Sequence, residues 1–198
     1  LAIGGSATVD GGMGMAQALG ARFLDSRGKP LGRGGSGLSR VRHIDVSGTH
    51  NRIKDTQFIV AADADNALLG PTGAARMYGP QKGATPAMVR ELERGVANFA
   101  SVIGSQLGTD VRHLRGAGAA GGLGAGLAVF CGAKMTSGAA WVMELLGLER
   151  LVMRSNLVVT GEGRIDAQTL HGKAVMGVIG LARKHRVPAV CFAGSVAS

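Results

Sequence analysis

The sequence is poor in aromatic residues, in charge and in cysteine. Aromatics make up 4% of its 198 residues, with one Trp, one Tyr and five Phe. No aromatic motif of the RNA-binding kind interleaves with the basic residues, so the formal net charge of +9 does not by itself point to nucleic acid. The basic residues are mostly Arg and are scattered without a run of five. They read as a solvated face, or as attraction for a small phosphorylated anion. The two cysteines, Cys131 and Cys191, form no C-x-x-C and no Cys/His ligand spacing. That argues against a structural zinc site and reads as two free thiols in a reducing cytosol. No apolar run reaches the roughly 18 residues of a membrane span, and no signal peptide is visible. H-E-x-x-H and Ser/His/Asp spacings are missing. Walker A is missing too: Gly172-Lys173 is followed by Ala174 and lacks the earlier glycine, so this is not a P-loop NTPase. Charged residues are only 18% and apolar residues 45%, which argues against a disordered chain. The chain opens at Leu1 in mid-element and stops at Ser198 just after a strand-like run, so it reads as a piece of a longer protein.

Glycine is what the sequence has in excess. There are 34, more than twice the share of roughly 7% in an average protein. They follow no Gly-X-Y period, which excludes collagen, and they gather in a few loops. Such glycines mark places where backbone turns sharply or something comes close to it.

Apolar spacing predicts a helix over Met13 to Phe23 and a longer one from about Pro86 to Leu107, opened by Thr85 as cap. An apolar helix is expected near Leu123–Cys131, a third over Ser137–Leu146, and another from about Lys173 to His185. Strands are expected at Leu1–Ile3, Val41–Val46, Gln57–Ala62, Leu157–Val159 and Pro188–Ala193. Asp25 to Gly37 and Gly70–Gly83 read as loops. Strand, polar loop, helix, strand is the rhythm of an α/β fold.

Four segments carry chemistry. Gly4-Gly5-Ser6-Ala7-Thr8-Val9-Asp10-Gly11-Gly12 lies between a strand and a helix, where exposed amides attract anions. Its glycines admit a phosphate, Ser6 and Thr8 donate hydrogen bonds, and Asp10 holds a metal or accepts a proton. Asp63 and Asp65, two apart at a strand end, suit Mg²⁺ with its oxygen ligands, or form a turn or cap. Gly116 to Gly121 matches G-x-G-x-x-G literally, but no buried strand precedes it. It reads as close helix packing or as an anion nest. Thr160 to Asp166 opens from a strand's carboxyl end, where open α/β sheets bind ligands. Glu162, Arg164 and Asp166, with Gln168, Thr169 and Lys173 soon after, offer both signs of charge, as phosphoryl transfer requires. Lys82, before a helix start, can meet an anion.

Taken in order, these segments resemble the type I glycerate kinases. The resemblance rests on Gly4 to Gly12, on Asp63-Ala64-Asp65-Asn66 with Leu69-Gly70-Pro71, and on Gly79-Pro80-Gln81-Lys82-Gly83-Ala84-Thr85. It continues through Gly116–Gly126 and through Thr160-Gly161-Glu162-Gly163-Arg164-Ile165-Asp166 to Gly172-Lys173. The sequence departs from the family pattern at Val9, usually Asn, at Ala62 and Ala64, usually Cys and Val, at Ala67, usually Pro, and at Asn156, usually Asp. The family also begins with an Asp-Ser-Phe-Lys-Gly type segment that this sequence does not contain.

The resemblance implies ATP-dependent phosphorylation of D-glycerate to 2-phosphoglycerate with Mg²⁺. It implies a two-domain α/β fold, with residues 1–155 as a central α/β domain and 156–198 as part of a discontinuous Rossmann-like domain. On this reading Asp166, Arg164 and Lys173 are catalytic, with Asp166 as base or orienter. Gly4, Gly5, Ser6, Thr8, Gly11, Gly12, Lys82, Gly161, Glu162, Gly163, Gln168 and Thr169 bind nucleotide or substrate. Asp10, Asp63 and Asp65 hold the metal. The expected partners are glycerate and ATP, with no membrane or nucleic acid, a cytoplasmic setting, and a homodimer left open. Two other readings stand beside this one: a non-catalytic basic α/β domain that binds phosphorylated metabolites or nucleic acid, and an oxidoreductase that uses the Gly116 cluster.

Overall fold

A computed structural model describes residues 1–62, 66–165 and 174–196. They fold into two compact units, Leu1–Met135 and Thr136–Ser198. The boundary that the family resemblance implies lies at 155. In the folded chain the helices just before that point pack on the helix that follows it, within the second unit.

In the first unit, α1 (Met13–Ala18) leads to β1 (Arg22–Leu24), which pairs antiparallel with β2 (His43–Asp45) and sets Phe23 opposite Ile44. The helix expected as far as Phe23 therefore ends at Ala18. Gly20 adopts φ +103°, and a Cβ there would meet Gly48 O at 2.1 Å, so the chain turns at this point. β3 (Ile59–Ala61) makes one parallel bridge to Ala2, which is all that forms of the strand expected at Leu1–Ile3. The stretch read as loop from Gly70 to Gly83 contains a short helix, α2 (Ala74–Tyr78).

Helix α3 (Pro86–Leu107) has the predicted bounds. Thr85 Oγ1 accepts from Met88 N at 3.3 Å, Pro86 fills the first turn, and Gly108 ends the helix at φ +69°. It buries Gly95, Val96, Phe99, Ala100 and Ile103, one face at helical spacing. Phe99 meets Phe23 edge-on at 5.6 Å, and Phe23 meets Phe130 at 5.7 Å. This trio, with Met13 and Leu38, centres the core. Phe130 comes from α4 (Ala119–Cys131), whose first turn is not helical: Ala120, Gly121 and Gly122 are left-handed. β4 (Lys134–Thr136) follows, and Lys134 N donates to Phe58 O.

The second unit holds α5 (Gly138–Leu145), α6 (Leu148–Met153), β5 (Val158–Ile165), α7 (Ala174–Lys184) and β6 (Ala189–Val196). β5 and β6 pair in parallel from Val158↔Ala189 to Ile165↔Val196. The segment from Thr160 to Ile165, expected as a loop, is thus strand. Hydrogen bonds to β6, distant in sequence, override its glycines. The pair leaves Val159 58% and Phe192 67% exposed.

Candidate functional site

The loop from Gly4 to Gly12 is set by its own aspartate. Asp10 is 8% exposed. Its Oδ1 accepts from Gly12 N at 3.0 Å and its Oδ2 from Gly14 N at 3.1 Å. The carboxylate thus occupies amides that open α1, and each oxygen keeps one lone pair. Among the described residues no group of three or more His, Cys, Asp or Glu side chains comes together.

The glycines of this loop meet those of the start of α4 backbone to backbone. Gly11 N donates to Gly121 O at 3.2 Å. A Cβ on Gly122 would lie 2.8 Å from Gly11 Cα, one on Gly12 would lie 2.9 Å from Gly126 Cα, and one on Gly121 would lie 2.1 Å from Thr8 O. Gly11 and Gly12, read in sequence as an anion cradle, therefore pack against the second cluster. Gly4 and Gly5 differ from them: they are exposed, and nothing lies within 4 Å of where a Cβ would stand. Ala120 holds the left-handed conformation (φ 54°, ψ 39°) without being glycine. That strain is worth about 1–2 kcal/mol and falls beside the cleft described below.

Lys82 pins the loop from the side. Its Nζ donates to Ser6 Oγ at 2.8 Å and to Thr8 O at 2.7 Å, and Ser6 Oγ donates onward to Ala120 O at 2.8 Å. Nζ also sits 5.7 Å from the centre of the Tyr78 ring. Burial pulls the Lys82 ammonium below the ordinary lysine value, and the charge of Asp10 works the other way. Burial likewise pushes the Tyr78 hydroxyl up. That hydroxyl donates to Asn66 Oδ1, and Asn66 Nδ2 donates to Thr72 O at 3.1 Å.

Two clefts adjoin the loop. One, of about 350 Å³, is lined by Ser6, Thr8, Asp10, Arg33 and Ala120 among others. The other, of about 280 Å³, is lined by Thr8, Lys82, Gly83, Met88, Glu91 and others. Of the predicted site residues, the first unit gathers Ser6, Thr8, Asp10, Gly11, Gly12 and Lys82. Gly161, Glu162, Gly163 and Arg164 lie on β5 in the second unit. Asp63, Asp65, Asp166, Gln168, Thr169 and Lys173 lie outside the described residues. Arg33 was missed. Its only signal was a charged side chain within Gly32-Arg33-Gly34-Gly35-Ser36, where glycine leaves room for a ligand.

The class these features define is a mixed α/β protein in which two glycine clusters, a lysine and an arginine frame polar clefts. The glycerate kinase family model matches residues 1–198, and the chain belongs to that family. It is 49% identical over 196 residues to a glycerate kinase of Halalkalibacterium halodurans, covering 99% of this chain and 52% of that protein. It is 48% identical over 196 residues to the glycerate 2-kinase of Escherichia coli K12, covering 99% of this chain and 51% of that protein. A solved structure of a candidate glycerate kinase 2 from Salmonella typhimurium LT2 superposes with a TM-score of 0.85 at 47% identity, over 98% of this chain and 52% of that one. The chain thus spans about half the length of the relatives it matches. Among its described residues no helix is long and apolar enough to cross a membrane.

Proposed function

We propose that this chain is part of an ATP-dependent glycerate kinase that transfers the γ-phosphoryl group of ATP to the 2-hydroxyl of D-glycerate, giving 2-phosphoglycerate and ADP. The observation that carries the reading is 49% identity to a glycerate kinase across 99% of this chain. The polar clefts beside Ser6, Thr8 and Lys82 agree with it. A two-domain parent fold goes with the reading, with residues 1–155 central and 156–198 part of a discontinuous Rossmann-like domain. The exposed apolar residues of the parallel pair β5–β6 support that part, because parallel sheets are normally covered on both faces. A cytoplasmic setting goes with it too.

Phosphoryl transfer depends on positioning and on stabilising charge. Arg164 and Lys173 are proposed to face the transferring group, and Asp166 to take or orient the proton of the attacking hydroxyl. Gly4, Gly5, Gly161, Glu162, Gly163, Gln168 and Thr169 are proposed to line the nucleotide or substrate. Mg²⁺ enters through the family resemblance with Asp10, Asp63 and Asp65 as ligands. The described residues supply only Asp10 of that set.

The test is ADP release by the full-length protein that contains this sequence, with and without D-glycerate, with ³¹P spectra to identify the product. Release that depends on glycerate, and a 2-phosphate product, are expected. Asp166→Asn should lower kcat far more than it raises KM. ADP release indifferent to glycerate would end the proposal.

A further inference from the structure

We infer that Arg33 is the carboxylate anchor of the acid substrate, and that the 350 Å³ cleft it lines with Ser6, Thr8 and Asp10 takes a short 2-hydroxy acid rather than the nucleotide's phosphates. This deepens the kinase reading and rests on it.

Unspent hydrogen-bonding capacity is the first argument. Arg33 is exposed, and no ion pair or hydrogen bond engages its guanidinium among the described residues. It keeps five N–H donors in a planar fork that matches a carboxylate bidentately. Lys82 borders the other cleft, and two of its three donors are already committed to Ser6 and Thr8. A carboxylate therefore finds its better partner on the Arg33 side.

The second argument is the sign of the opposite wall. Asp10 lines the same cleft, and its two oxygens hold the Gly12 and Gly14 amides while keeping a lone pair each. A polyphosphate brings acceptors and no donor, so without a cation it has nothing to offer the free lone pairs of Asp10. A hydroxy acid brings a carboxylate for Arg33 and hydroxyls that donate to Asp10 or meet Ser6 and Thr8. The wall offers a cation at one point and an acceptor at another, which is the complement of such a molecule.

The clamp on the loop is the third. Ser6 Oγ is fixed between Lys82 Nζ and Ala120 O, so its position in the cleft is set before any ligand arrives. Lys82 thereby acts as a positioning residue for this cleft, and Arg33 as the residue that touches substrate.

Steady-state kinetics of the full-length protein that contains this sequence provide the test. Arg33→Gln should raise KM for D-glycerate about 10- to 100-fold, as expected for the loss of a charge-assisted pair, and leave KM for ATP within about twofold. Arg33→Lys keeps the charge but not the fork and should fall between the two. The amide of glycerate, which lacks the charge, should be discriminated against by the parent protein and nearly accepted on equal terms by Arg33→Gln. A structural defect would not produce that collapse of selectivity. If the parent protein releases no ADP in response to glycerate, the kinase reading itself fails. If it turns over normally while Arg33→Gln keeps its KM for glycerate, only the assignment of Arg33 is overturned. A rise confined to KM for ATP overturns it equally, because the cleft would then hold the nucleotide.

Discussion

Three glycine-to-alanine changes separate what a Cβ meets from what φ demands. Gly4 has a negative φ, is exposed, and has nothing within 4 Å of a built Cβ. Gly4→Ala should be neutral or stabilise by up to about 1 kcal/mol, through the narrower unfolded ensemble. Gly132 sits at φ +61° in open space, so its alanine pays the left-handed penalty alone, about 1–2 kcal/mol. Gly122 combines φ +89° with a Cβ 2.8 Å from Gly11 Cα and 3.2 Å from Gly11 N. Both are backbone atoms of a loop tied down through Asp10 and Gly121, so neither yields cheaply. Adding about 1–3 kcal/mol for overpacking to the same φ penalty gives about 2–5 kcal/mol. That is a large share of the about 5–15 kcal/mol that holds a typical domain together. Hydrogen exchange of the α3 amides reports the first unit by itself, and it should rank the variants Gly4, Gly132, Gly122 in order of increasing loss. If Gly122→Ala exchanged like Gly4→Ala, the two glycine clusters would not be packed on each other and the account of the loop would fail.

The two remaining expectations concern charge. Lys82→Met removes the bonds to Ser6 Oγ and Thr8 O, leaves Ser6 its acceptor at Ala120, and should cost about 1–3 kcal/mol in the same exchange measurement; unchanged protection would mean that Lys82 does not hold the loop. In acid, Asp110 is held down at about 2 from 3.8 by hydrogen bonds from Arg112, and Asp25 is lowered by the amides of Lys29 and Arg27. Both folded values lie below the unfolded ones, so each adds stability that is lost in acid; for Asp110 it is complete above about pH 5 and drains as pH falls toward about 2. Asp110→Asn should flatten the decline of Tm between pH 5 and 2, and a parallel decline would refute the contribution of this exposed pair.

How much of this was legible in the sequence depended on how local each cause was. Helix α3 has its cap at Thr85, its proline at Pro86 and its stop at Gly108 within its own stretch, and its bounds were read correctly. Helix α1 was read too long. The apolar spacing continued to Phe23, but the turn at Gly20 is enforced by Gly48, and Phe23 faces Ile44 across a strand pair. Thr160 to Ile165 was read as loop because two glycines and a Glu look like one. Its partner, β6, lies some thirty residues away and had no voice in a local reading.

The glycine clusters carry the same lesson to the site. Taken singly, Gly4 to Gly12 resembled a phosphate cradle and Gly116 to Gly121 a helix-packing or anion motif. The pairing of the two shows what each glycine adjoins. Gly11 and Gly12 serve Gly122 and Gly126, whereas Gly4 and Gly5 face open space. Residue type announced a close approach in both places but not what was approaching. Arg33 was invisible for a related reason. A single arginine has no spacing to read, and its meaning comes only from the wall it joins, where Ser6, Thr8 and Asp10 arrive from a loop some twenty residues earlier.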